Sequence, residues 1–171
     1  MDNITGFDGI EDFEYPIKSG LDLLFTSPTK LDFINPKLDF EINPAKFMEW
    51  LKEEDEEVTG DYRMDCASMC EYGSLYILML LSKKKLKGVL KIVSGNFGFW
   101  DHYWISYTYK GVEYFIDLTL KQFMDDAPKL AISLAKENPT GYSNVYYMSM
   151  KEYLDEKRAF EFYVNPVYTK V

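Results

Sequence analysis

His102 is the single histidine of the chain, and it begins a segment whose residues alternate as a β-strand does. Over Tyr103 to Tyr109, Trp104, Ser106 and Thr108 fall on one face, and Tyr103, Ile105, Tyr107 and Tyr109 on the other. Lys110-Gly111 is a hairpin turn signal, and Val112 to Leu118 returns antiparallel. The midpoint between 102 and 117 falls near that turn. His102 and Asp117 are therefore expected as close cross-strand neighbours. A carboxylate beside an imidazole fixes its tautomer and stabilises its charged form, as the third member of a catalytic triad does.

Two thiols could complete such a site, Cys66 and Cys70. Ser68-Met69-Cys70-Glu71 has the S-x-x-E spacing of a capping box, with Ser68 as N-cap and Glu71 at N3. Cys70 then lies at N2, where unpaired backbone N–H groups and the positive helix end favour a thiolate. The thiolate is the form that attacks carbonyl carbon. If Asp65 were the N-cap instead, Cys66 would lie at N1. The i, i+4 spacing of the two thiols also fits a metal pair or a redox pair. With one His and no third Cys, a zinc site of the usual type lacks ligands, so neither metal nor cofactor is expected. A disulfide between them would be strained unless the first helical turn unwound.

The positioning elements are legible around these residues. Asn43-Pro44 suits a helix start, with Phe47, Trp50 and Leu51 on one face. A second helix over about 68–84 is apolar nearly all round, as a central buried helix would be. Strands are expected at Val89 to Ser94, Tyr103 to Tyr109, Val112 to Leu118, Val145 to Met148 and Glu161 to Val164. Gly95 to Asp101 reads as a glycine-aromatic loop. A helix is expected near Pro128 to Lys136, and Ser149-Met150-Lys151-Glu152 is a second capping-box spacing. Helices first and then mainly antiparallel strands give an α+β class.

The stretch from Cys70 to Thr119 resembles the transglutaminase-like branch of the papain-like cysteine enzymes. That family places its nucleophile at the start of the core helix, with a small residue four positions on, as Cys70 and Ser74 are placed here. A V-x-G-like strand end follows at Val93-Ser94-Gly95, then His-x-Trp at His102-Tyr103-Trp104, then Asp-x-Thr at Asp117-Leu118-Thr119. The order Cys, His, Asp agrees. The frame selects Cys70 over Cys66. Many members carry Gly two positions before the nucleophile, where this chain has Ser68.

The resemblance implies a papain-like/transglutaminase-like core, in which a central helix carries Cys70 against an antiparallel sheet. It also implies a Cys70–His102–Asp117 triad that acts on an amide through a thioester, as a protease, amidase, glutamine deamidase or transglutaminase does. The oxyanion donors would be the backbone N–H of Cys70 and an upstream side chain, for which Trp50, Tyr62 and Arg63 are candidates. Trp50, Trp100 and Trp104 are candidate substrate-binding residues, since active sites need apolar walls. A different class uses the same fold without catalysis, as a protein-binding module.

Composition narrows the partners. A net charge of −9 disfavours phosphate backbones, so no nucleic-acid partner is expected. The longest apolar run, Leu75 to Leu81, is far shorter than the ~20 residues of a spanning helix, so no membrane partner is expected. An acidic start without an apolar leader, and only two cysteines, point to a reducing cytoplasm. A protein or peptide substrate is the expected partner. Residues 1–43, with scattered Gly, Pro and Asp-Phe pairs, read as an extended arm packed on a catalytic domain at 44–171. That arm could also meet a protein partner.

Overall fold

The computed structural model describes residues 31–54, 57–137 and 141–155. Most of the N-terminal arm and the strand expected at Glu161 to Val164 lie outside the described residues.

Asn43 caps the first helix as its place before Pro44 predicts, with its Oδ1 accepting from the Ala45 N–H at 2.9 Å. Helix α1 spans Pro44–Glu54 and buries Phe47 and Leu51 completely. A short helix α2, Tyr62–Asp65, is capped by Asp61. The central helix α3, Cys70–Ser82, buries Ile77, Leu78 and Leu81.

Among the described residues five antiparallel strands form one sheet in the order β4-β3-β2-β1-β5. They are β1 (Val89–Phe97), β2 (Trp100–Tyr109), β3 (Val112–Asp117), β4 (Ala131–Leu134) and β5 (Tyr142–Met148). The class is α+β, helices packed on an antiparallel sheet. Lys110 and Gly111 both take positive φ, 51° and 77°, which is the turn chemistry their sequence predicts.

Two expectations are corrected here. Gly95 to Asp101 is not a loop. β1 and β2 run on through it as a long hairpin that pairs Asn96 with Asp101 and Phe97 with Trp100. Gly98, at φ 60°, supplies the tight turn. The helix expected near Pro128 to Lys136 is instead β4 followed by a 3₁₀ turn, Ala135–Glu137. Its Ala and Leu residues favour a helix, but Ala131 to Leu134 completes the ladder of β3. Tertiary pairing overrides so short a local preference.

The sheet has two buried faces. Ile105, Tyr107 and Ile116 meet Phe47, Leu51, Ile77, Leu78 and Leu81 on the helical side. Val93, Trp104 and Phe115 meet Leu31, Leu120, Ala127 and Tyr142 on the other. Residues 31–43 pack along the domain. Ile34 N–H donates to the Ile132 carbonyl at 2.8 Å, beside an isolated bridge of Phe33 to Ser133. No helix among the described residues is long and apolar enough to cross a membrane.

Gly95 pairs with His102 across the hairpin. A Cβ there would meet the Ser143 carbonyl at 2.6 Å and the Trp104 ring at 2.8 Å. The strand β5 and Trp104 can approach only because that Cβ is missing. Gly95→Ala is expected to destabilise the protein by about 1–3 kcal/mol through overpacking. Urea denaturation measures it, and unchanged stability would show that β5 yields freely.

Candidate active site

Asp117 ends β3 and His102 lies near the start of β2. Ile105 pairs with Ile116 and Tyr109 with Val112. Continued, that ladder would set His102 opposite Thr119. His102 and Asp117 are thus diagonal neighbours on one face rather than directly opposed, and diagonal pairs are still within reach of long side chains. The bond between them is short: His102 Nε2 to Asp117 Oδ2 is 2.6 Å. Both residues are buried, 1% and 2% exposed.

A buried carboxylate must have its lone pairs engaged. Asp117 Oδ1 accepts from the Thr119 N–H at 2.8 Å and the Thr119 hydroxyl at 3.3 Å. Oδ2 accepts from His102 and from the Tyr142 hydroxyl at 3.2 Å. The Asp-x-Thr spacing therefore has a physical reason: Thr119 holds the carboxylate toward the imidazole. Tyr142 reaches this carboxylate from β5, and no period or motif in the sequence signals it. Aromatic rings fix the imidazole plane. Trp104 stacks on it at 5.7 Å, and Phe123 meets its edge at 5.0 Å.

Burial by itself would lower the His102 pKa. The charge and hydrogen bond of Asp117, with a smaller effect of the Cys70 thiol, outweigh it and raise the value to about 9. The ring is thus basic enough to take up a second proton near neutral pH and hold it as the imidazolium. With an unfolded value near 6.5, its stabilisation is complete below pH ~6.5. It is lost as pH rises toward 9, the window in which the folded protein holds a proton the unfolded chain has released. The expected loss is about 3 kcal/mol. Urea titrations of Cys70→Ala at pH 6.5 and 9, in which no thiol releases a compensating proton, check it, with the Cys70→Ala/His102→Ala double variant as the control in which this slope disappears. A slope that persists in the double variant would assign the effect to other groups.

Cys70 is the first residue of α3, with Met69 as N-cap. The capping box expected at Ser68-x-x-Glu71 is not formed, so Cys70 lies at N1 rather than N2. Ser68 instead takes φ 62°, and its N–H donates to Gln122 Oε1 at 3.1 Å. That φ is a left-handed backbone, which Gly adopts freely and Ser at a cost. The box at Ser149 and Glu152 does form, in both directions, at 3.1 and 2.8 Å.

Two small residues seat the first turn of α3. Ser74, buried, donates its hydroxyl to the Cys70 carbonyl at 3.0 Å. A Cβ on Gly73 would meet Thr119 Cγ2 at 3.0 Å and Leu118 Cβ at 3.5 Å. The helix start therefore lies directly against the segment that carries Asp117. His102 Nε2 is committed to Asp117, so Nδ1 is the ring atom left for the thiol. Nδ1 is buried and has no standard hydrogen bond among the described residues. Cys70 still adds to the His102 shift, which makes the thiol a near neighbour rather than a formed hydrogen-bond partner. Apo contacts of this kind tighten on substrate binding.

Cys66 has the opposite character. It caps the C-terminus of α2, not a helix start, and is fully buried. Its thiol lies 3.7 Å from the Leu118 carbonyl, and burial pushes its pKa up to about 12. Both thiols are free. Asp65, weighed as an N-cap for Cys66, instead accepts from the backbone of Thr59 and Gly60 at 2.7 and 2.8 Å. No group of three or more His, Cys, Asp or Glu among the described residues is placed to hold a metal ion.

The thiol opens on a cleft of about 540 Å³ lined by Arg63, Ala67, Ser68, Cys70, Trp100, Asp101, Gln122 and Phe123. Of the three candidate substrate-binding tryptophans, only Trp100 lines it, stacked on Phe123 at 5.0 Å. Trp104 is wholly buried beneath His102 and acts as a platform for the imidazole. Trp50 packs on Tyr72 and Tyr76 against α3, outside the cleft. Trp50 is therefore no oxyanion donor. Nor is Tyr62, whose hydroxyl lies 2.7 Å from the Leu118 carbonyl. Arg63 lines the cleft but pairs with Asp125. A more enclosed depression of about 390 Å³ near Met48, Thr59 and Lys129 lacks a nucleophile, and its Asp65 is already committed.

Comparison with protein-family models, with curated proteins and with solved structures finds no match for this chain.

Proposed function

We propose that this protein is a cysteine-nucleophile acyl-transfer enzyme that acts on an amide of a protein or peptide, with a transglutaminase-like variant of the papain-like core. One observation carries the reading. A buried His102–Asp117 pair keeps Nε2 occupied at 2.6 Å and leaves Nδ1 beside a thiol at the start of a helix that borders a cleft.

The chemistry follows from that arrangement. His102 Nδ1 takes the Cys70 proton, giving a thiolate–imidazolium pair. The Cys70 sulfur attacks the carbonyl carbon and the carbonyl electron pair moves to oxygen. Collapse breaks the C–N bond, and His102 Nδ1 gives its proton to the leaving amine. The thioester is then cleaved by water, as in a protease, amidase or deamidase, or by an amine, as in a transglutaminase. Asp117 holds the Nε2–H throughout.

p-Nitrophenyl acetate tests the reading without a known substrate. Attack by Cys70 releases p-nitrophenolate and leaves an acetyl thioester. A rapid release step with acetyl mapped to Cys70 is expected, and its absence in Cys70→Ala confirms the site. An unlabelled Cys70 in wild type would point instead to a noncatalytic binding module.

A further inference from the structure

We propose that Gln122 is a catalytic residue whose side-chain amide binds the oxygen of the attacked carbonyl as negative charge develops on it. The proposal rests on the acyl-transfer reading and places the side-chain donor downstream of Asp117 instead of upstream of Cys70.

Gln122 ends a 3₁₀ turn, Leu120–Gln122, that follows the Asp-x-Thr segment directly. The turn therefore ties its position to that of Asp117. The next residue, Phe123, meets the edge of His102 and stacks on Trp100. Gln122 lines the cleft with Cys70.

Its amide orientation is set by chemistry. Oε1 accepts from the Ser68 N–H at 3.1 Å, and a backbone N–H can only donate. Nε2 is thereby turned the other way. It is buried and has no hydrogen-bond partner among the described residues. A buried, unpaired amide N–H is costly, by about 1–3 kcal/mol, and such orphans need a reason.

A second observation points the same way. The Ser68 N–H that fixes the amide comes from a residue at φ 62°, two positions before the nucleophile. Non-glycine residues adopt that conformation at a cost, and such costs gather at functional sites. The strained Ser68 and the unpaired Gln122 amide meet in one hydrogen bond beside Cys70. The oxygen of a carbonyl whose carbon is bonded to the Cys70 sulfur would give Nε2 its missing acceptor. The backbone N–H of Cys70, at N1 of α3, is the second donor, since the first N–H groups of a helix have no intrahelical partner. Fixed donors shielded from water are the most effective kind for a developing oxyanion.

The test compares two reactions of the same sulfur. p-Nitrophenyl acetate passes through an oxyanion; iodoacetamide alkylation displaces iodide at a saturated carbon and forms none. Gln122→Glu keeps the acceptor for the Ser68 N–H but removes the donor, and Gln122→Ala removes both. Both variants are expected to acylate about a hundredfold or more slowly while alkylating within about threefold of wild type. If Gln122→Glu acylates as wild type does, the side chain only pins Ser68 and the proposal is wrong. If acylation and alkylation fall together in both variants, the residue acts on the thiol or the fold, and the proposal is again wrong. Failure of wild type to acylate overturns the enzyme reading itself.

Discussion

Asp117→Ala is expected to lower stability by about 3–5 kcal/mol and to abolish acyl transfer. The cost follows from what the carboxylate holds. Removing it strands a buried imidazolium, the Thr119 N–H and the Tyr142 hydroxyl at once. Breaking a buried pair by deleting one partner costs this much because the remaining charge is uncompensated. Urea denaturation gives the stability, and p-nitrophenolate release the activity. Asp117→Asn separates the two effects. It keeps the volume and an acceptor for Thr119, so most of the stability should survive. Acyl transfer should still fall on the order of 10⁴, the scale seen when a serine triad loses its carboxylate and the imidazole takes the wrong tautomer. An Asp117→Asn enzyme of near-normal rate would remove Asp117 from the mechanism.

Cys70→Ala is expected to eliminate the acetyl-enzyme entirely, and Cys66→Ala to retain it. Cys66 cannot substitute for the missing nucleophile. It is fully buried, its pKa is pushed up to about 12, and its thiol faces the Leu118 carbonyl. Its removal should cost stability, on the order of 1 kcal/mol for a small buried group with little space to collapse, without changing the acylation rate. Mass mapping of the acetyl group in each variant decides. Acetyl on Cys66 in the Cys70→Ala protein would show that the interior opens far more than the packing around α2 suggests.

The hairpin was the most legible part of the sequence. Alternation over Tyr103 to Tyr109 and the Lys110-Gly111 turn were enough to bring His102 and Asp117 to one face. The structure bears out the expected close cross-strand neighbours at 2.6 Å and adds the register, which makes them a diagonal pair. Cys70 at a helix start was legible for a partly different reason than the true one. Its capping box is unmade: Met69 and not Ser68 is the N-cap, and the Ser68 N–H goes to Gln122. Tyr142 and Gln122 carry no local sequence signal because each reaches the site only through tertiary packing, from β5 and from a 3₁₀ turn. Trp104 looked like a cleft residue, yet even-numbered β2 residues face the second core cluster. Nothing in a single strand's alternation says which of two buried faces borders a cleft. β4 read as helix because four residues are too few for a period to assert itself against composition.

The proposed acyl transfer requires that Cys70 and His102 share a proton as a thiolate–imidazolium pair. Iodoacetamide alkylation of Cys70, resolved from Cys66 by mass spectrometry across pH 5 to 9, tests it most directly, in wild type and in His102→Ala. Wild-type Cys70 is expected to react readily at pH 6, well below the ~8.5 at which an ordinary thiol ionises. His102→Ala should abolish that low-pH reactivity, and Cys66 should stay inert in both. A Cys70 that reacts only as pH approaches 8.5, with the same profile in His102→Ala, would contradict the account.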